Sequence, residues 1–166
     1  MTPEKRILIL GIGNYLMGDE GVGVHVANRL QQQGLPYGVD VVDGGTGGFH
    51  LLGYFEGYET VILVDATLDN NPLGTIRLIR PRFAHDFPKA MSTHDIGLKD
   101  MVSALQLLDK MPDIHLFVVS IESLQQQGIE LTEPVEKAIS GLMIKILELA
   151  TELKNKTQET ELLTVV

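Results

Sequence analysis

Residues 6–23 read RILILGIGNYLMGDEGVG, and this stretch decides the fold class. Its first part, Arg6–Ile12, is apolar and rich in Ile, with no polar alternation. A strand of that kind is buried on both faces, as the central strands of parallel sheets are. A glycine-rich turn follows, and then Gly21–Gln33, which places Val22, Val26 and Leu30 on one helical face at i, i+4 and i+8. Strand, glycine-rich turn and amphipathic helix together form the first half of a βαβ unit. Working outward, Thr60–Asp65 (TVILVD) and His115–Ile121 (HLFVVSI) repeat the buried-strand signature, and Val39–Val42 and Thr75–Ile79 read as weaker strands. Helical patterns lie between them, at His50–Phe55 and at Gly97–Leu108. A last helix has Pro134 in an early position, with Val135, Ile139, Leu142, Ile146 and Leu149 on its apolar face. Alternation of this kind predicts an α/β fold, a three-layer αβα sandwich. Residues 1–150 are expected to form one domain and residues 151–166, from Thr151 on, a frayed or mobile tail.

Composition removes several function classes. The chain has 166 residues, with 13 Lys and Arg against 22 Asp and Glu, a formal charge of −9. Nucleic-acid binding needs a basic patch to release counterions, and only Arg77, Arg80 and Arg82 cluster. With no cysteine there is no disulfide, no thiolate zinc site and no cysteine nucleophile. The opening MTPEKRILIL is too brief for a signal-peptide core, and no stretch approaches the roughly 20 apolar residues of a membrane helix. The expectation is a cytoplasmic protein with no membrane insertion.

Four segments could carry chemistry. In GIGNYLMGDEGVG, Gly11 and Gly13 fit a dinucleotide fingerprint, but Leu16 stands where the third glycine belongs. Asp19 and Glu20 would also repel a pyrophosphate at the helix start. One of the two acids, Asp19, is expected to cap the helix. The second segment, Asp43–Gly48 (DGGTGG), reads either as a tight turn with Asp43 holding backbone amides or as a cleft wall whose amides bind an extended peptide or a carboxylate. In the third, Asp65 closes a strand and so stands at the carboxyl edge of the sheet, where open parallel sheets bind ligands. The fourth, Ser92–Leu98 (STHDIGL), brings His94 to the start of a helix. The remaining histidines, His25, His50, His85 and His115, read as surface residues, and His115 alternatively as a strand-edge residue.

Loops that open on one sheet edge can bring Glu20, Asp65 and His94 together although they are far apart in sequence. Two carboxylates and an imidazole suit nickel, zinc, manganese or iron, and the residues alone do not choose among them. There is no H-E-x-x-H helix and no G-x-S-x-G elbow.

These same segments resemble the nickel–iron hydrogenase maturation endopeptidases. The family pattern of G-x-G-N, a variable stretch, D-[DE]-G and a further Gly appears as GIGNYLMGDEGVG; its D-G-G-T loop as DGGTGG; its D-A strand end as LVDA; and its Ser-x-His-x-x-Gly-Leu helix start as STHDIGL. All four occur in order. The resemblance implies a twisted, mainly parallel five-stranded sheet with helices on both faces. It also implies removal of a C-terminal extension from a nickel–iron hydrogenase large-subunit precursor after nickel insertion. The metal-ligating and catalytic positions carry over to Glu20, Asp65 and His94, and the substrate cleft to Asp43, Gly44, Gly45 and Thr46. The nickel is implied to arrive with the substrate rather than to reside in the enzyme. One stretch departs from the family: SIESL lacks the Gly and Pro of a G-x-x-P-E-S-L-like run. Two alternatives stand beside this reading, a related α/β hydrolase with another substrate and a non-catalytic nickel-sensing chaperone.

Overall fold

The computed structural model describes residues 6–88, 96–123 and 125–164, the side chains of 96–99 excepted. Five strands, β1 (Ile7–Gly11), β2 (Val39–Asp43), β3 (Thr60–Thr67), β4 (Ile76–Ile79) and β5 (Asp113–Ser120), form one sheet in the order β2-β1-β3-β5-β4. All neighbours are parallel except β4, which runs antiparallel to β5. The three runs without polar alternation are the three inner strands. Both of their faces are covered, so every residue of β1 is buried, as is every residue of β5 after Asp113.

Helices α1 (Val22–Gln33) and α4 (Glu133–Thr164) cover one face. There Val22, Val26 and Leu30 meet Ile9, Ile62, Val64 and Val119, together with Ile139, Leu142 and Ile146. Helices α2 (Leu52–Gly57) and α3 (Ile96–Leu107) cover the other, where Leu51, Phe55, Met101, Val102 and Leu105 pack on Leu8, Leu10, Leu63 and Leu116. The expected three-layer sandwich is therefore observed. Each fully buried Leu, Ile or Phe contributes roughly 1.5–3 kcal/mol.

Three features depart from the sequence expectation. Asp65 does not close its strand: β3 continues to Thr67, opposite Ser120. β1 stops earlier, with Gly11 opposite Val64, so beyond Val64 the strand has a partner only on β5. The segment from Thr151, expected as a tail, is helical to Thr164. Ala150 is fully buried, and Leu153 continues the apolar stripe three residues on. The Thr151 and Thr157 hydroxyls donate to the carbonyls of Leu147 and Leu153, and the Lys154 ammonium donates to the Tyr37 carbonyl. Finally, α3 does not follow a strand that ends at the carboxyl edge. β4 is antiparallel, so its C-terminus lies at the amino edge, where Ile79 stands opposite Leu116. α3 also returns to that amino edge, because the chain enters β5 there at Asp113. The Ile96 end of α3 therefore points toward the carboxyl edge, about 18 Å along the helix.

Candidate functional site

The turn between β1 and α1 doubles back so tightly that side chains would block it. Gly13, at φ +146°, lies under the Glu20 carbonyl, whose oxygen would stand 2.1 Å from any Cβ placed there. Gly23 is equally constrained: its Cβ would fall 2.2 Å from the Val64 carbonyl oxygen and 2.3 Å from that of Ile12. The first turn of α1 thus rests directly on Ile12, just after β1, and on Val64 within β3. These glycines serve backbone approach, which accounts for a glycine-rich turn without a dinucleotide fingerprint. Asn14 shapes the outward part of the loop, its side-chain oxygen accepting the Leu16 N–H at 3.1 Å. Glu20, half-buried, sits in the 3-10 turn Gly18–Gly21 that leads into α1.

Asp19 does not cap that turn, which has no side-chain cap hydrogen bond. It is fully buried, and its two carboxylate oxygens accept the Thr132 N–H at 2.8 Å and the Thr132 hydroxyl at 2.7 Å. Its own N–H donates to the Gln125 side-chain oxygen at 2.9 Å. Burial drives this choice: a carboxylate removed from water needs strong donors, and the chain before α4 supplies two. The same two segments are joined through their backbones. The Gly18 N–H donates to the Gly128 carbonyl and the Gly128 N–H to the Leu16 carbonyl, both at 2.8 Å.

Asp65 alternates with Val61 and Leu63, and so shares the face of β3 that α3 covers. It is half-buried, and one of its oxygens accepts the Ala66 N–H at 2.8 Å. Because β1 has ended, the β1–α1 turn occupies the level of Asp65, and the structure brings Glu20 and Asp65 to the same edge of the sheet. His94 lies outside the described residues. Among the described residues no three His, Asp or Glu side chains form a group able to hold a metal ion.

The loop after β2 lies beside the first turn. Asp43 is exposed and accepts the Gly45 N–H at 2.9 Å. The Gly44 N–H donates to the Gly11 carbonyl at 2.8 Å, the Gly47 N–H to the Gly44 carbonyl at 3.3 Å, and the Gly13 N–H to the Gly45 carbonyl at 2.7 Å. The amides of Gly44, Gly45 and Gly47 are thus engaged within the fold. Thr46 is exposed at the tip of the loop.

Two histidines differ from their expected surface placement. His115 is buried in β5, 2% exposed, with its Nε2 3.1 Å from an Asp113 oxygen. His25 is half-buried on α1, its ring tilted against that of Tyr15 with centroids 4.8 Å apart and its Nε2 2.9 Å from the Ile129 carbonyl. Burial holds both imidazoles below their ordinary pKa, against the pull of these acceptors. Neither motif nor periodicity singles them out, since burial of a lone histidine depends on which helix covers it.

Glu20, Asp65 and the loop carrying the exposed Asp43 stand at the carboxyl edge of a mainly parallel sheet, the edge at which such sheets bind ligands. Comparison with known proteins shows the family. A family model described as hydrogenase maturation protease matches residues 24–149. The chain is 35% identical over 145 residues to the hydrogenase 2 maturation protease of Escherichia coli, covering 86% of this chain and 88% of that one. It is 36% identical over 146 residues to the hydrogenase expression/formation protein HupD of Bradyrhizobium diazoefficiens, covering 84% and 74%. Among solved structures, the hydrogenase maturating endopeptidase HybD from E. coli superposes with a TM-score of 0.80 at 36% identity, over 89% of this chain and 93% of that one. The [NiFe] hydrogenase maturation protease HybD from Thermococcus kodakarensis gives 0.71 at 28% identity, over 87% and 99%. The chain belongs to the hydrogenase maturation protease family.

Proposed function

We propose that this protease removes a C-terminal extension from the large-subunit precursor of a nickel–iron hydrogenase after nickel insertion, and that Glu20, Asp65 and His94 read the nickel carried by that substrate. The observation that carries the reading is the joint placement of Glu20 and Asp65. Close glycine packing at Gly13 and Gly23 seats the Glu20 turn at the level of Asp65. The direction of α3, with its Ile96 end toward the same edge, supports His94 as the third member. Carboxylate and imidazole donors match a borderline divalent ion. GIGNYLMGDEGVG, DGGTGG, LVDA and STHDIGL, which resemble the family motifs, support the same assignment.

In this mechanism the three side chains complete the coordination of the substrate's nickel. That contact fixes the scissile bond in the cleft bordered by Asp43, Gly44, Gly45 and Thr46, and much of the rate gain comes from proximity. Hydrolysis adds one water across the peptide bond, leaving a new carboxylate on the large subunit and a free amine on the released peptide. A nickel-free precursor lacks the anchor and is left intact.

The test follows intact mass after purified protein is mixed with nickel-loaded or nickel-free precursor. A C-terminal fragment lost only from the nickel-loaded form is the expected result. Glu20→Gln, Asp65→Asn and His94→Ala should each reduce cleavage by a factor of about 100 or more while melting near the wild type. Equal trimming of both precursors would remove the nickel from the mechanism. Full activity in all three variants would remove the triad.

A further inference from the structure

We propose that Asp19 and Thr132 are positioning residues for the reaction: their buried hydrogen-bond pair holds the Glu20 turn against the segment following β5 and so sets where Glu20 stands. This rests on the reading that Glu20 contacts the substrate's nickel.

Glu20 belongs to a short 3-10 turn, Gly18–Gly21, with no side-chain cap of its own. A 3-10 turn of this length has poor hydrogen-bond geometry of its own. What holds the turn comes from two sides. On one, Gly13 and Gly23 let it press onto β1 and β3. On the other, the chain between β5 and α4 clamps it through Leu16 and Gly18 to Gly128, the Asp19 N–H to Gln125, and the Asp19 carboxylate to Thr132. Gln125 is fixed in turn, its amide donating to the Glu122 carbonyl at 2.8 Å. Thr132 is itself tied to α4, its carbonyl accepting the Glu136 N–H at 2.9 Å. Glu136 pairs back to Arg29 of α1 at 2.8 Å. The ring of contacts runs from the turn to α4, to α1, and back to the turn.

Within that ring the Asp19 carboxylate is the fully buried charged member, and it is the immediate neighbour of Glu20. Both of its oxygens are committed to one residue, so the pair fixes direction as well as distance. Removing one donor leaves a buried carboxylate short of a partner, and the turn must shift to re-solvate it. Glu20 moves with it.

The experiment uses the full-length protein and nickel-loaded precursor. Thr132→Val removes the hydroxyl donor and keeps the N–H and the shape, whereas Thr132→Ser keeps the hydroxyl. Ile146→Val, in the α4 core, serves as a control of comparable stability loss. The expected result for Thr132→Val is a fall in kcat of at least about tenfold with KM within about twofold, the scale of one hydrogen bond to a charged group. Thr132→Ser should recover to within about twofold of the wild type, and Ile146→Val should keep wild-type kcat below its melting point. As a second measurement on folded protein, the Glu20 backbone amide resonance should move in Thr132→Val and stay in Ile146→Val. Wild-type kcat in Thr132→Val, or a loss that Ile146→Val matches, would overturn the proposal. Glu20→Gln separates the two readings. If it is inactive while Thr132→Val is unaffected, only the positioning role falls; if it cleaves at the wild-type rate, the nickel contact of Glu20 falls and the positioning role with it.

Discussion

Gly23→Ala tests the contact that seats the Glu20 turn, because two effects of opposite sign compete there. Gly23 lies inside α1 at an ordinary helical φ, and in a helix interior Ala is better than Gly by about 1 kcal/mol. With open space around it, the substitution would stabilise the protein. The space is closed. The new methyl would lie 2.2 Å from the Val64 carbonyl oxygen, 2.3 Å from that of Ile12 and 2.9 Å from the Ile12 nitrogen. All three are backbone atoms, one in β3 and two in the residue that follows β1, and no side-chain rotation can move them. Relief to ordinary contact needs roughly 1 Å of separation, which lifts the first turn of α1 off β1 and β3. That displacement loosens Val22, Val26 and Leu30, each fully buried. Overpacking costs about 1–3 kcal/mol even where side chains can yield, and more here. Net of the propensity gain, the expected loss is about 2–3 kcal/mol. In a domain of this size each kcal/mol moves the melting point by about 2–4 °C, so calorimetry should find it lower by about 4–12 °C. Gly141→Ala on α4 is the internal comparison. Nothing lies within 4 Å of its Cβ position, so it should gain about 0.5–1 kcal/mol. Gly23→Ala melting at or above the wild type would refute the close-packing argument and with it the account of how Glu20 is seated.

Two further outcomes follow from the same contacts. Leu153→Ala should cost about 1–2 kcal/mol in urea unfolding, because Leu153 packs against the core below α4; an unchanged midpoint would return residues after Thr151 to a peripheral role. Stability should also fall on mild acidification. Burial keeps His115 and His25 below the ordinary imidazole pKa, so the unfolded chain binds protons first. Their contribution is complete above the unfolded pKa near 6.5 and is lost as pH falls from there through the folded values, at no more than about 1.4 kcal/mol per unit for each group. Melting between pH 7.5 and 5 should show the decline, and His115→Gln should flatten it. A profile in the variant as steep as in the wild type would rule His115 out as its source.

Much of this molecule was legible in one dimension. RILILGI, TVILVD and HLFVVSI announce inner strands because a residue buried on both faces leaves no room for alternation, and those runs became β1, β3 and β5. The helical faces of α1 and α4 followed from spacing alone, since Val22, Val26, Leu30 and Val135, Ile139, Leu142, Ile146 all pack against one core. The motifs that carry the family were equally local, each a short run of contiguous residues.

What the sequence alone left undetermined depends on neighbours far along the chain. Asp19 looks like a helix cap beside its own helix; its partner, Thr132, stands 113 positions away, and only folding reveals which donor is nearer. Asp65 looks like a strand end, but where a strand stops being flanked depends on the length of the strand beside it, and β1 is the shorter. The polar mixture after Thr151 lacks a decisive stripe, and its helix is held by Ala150, Leu153 and contacts to Tyr37 that no local pattern encodes. Local sequence determines which face of an element is apolar, because that depends on spacing within one turn or pleat. Tertiary structure decides which polar group becomes a cap, a clamp or a candidate ligand, because that depends on what the fold brings within about 3 Å of it.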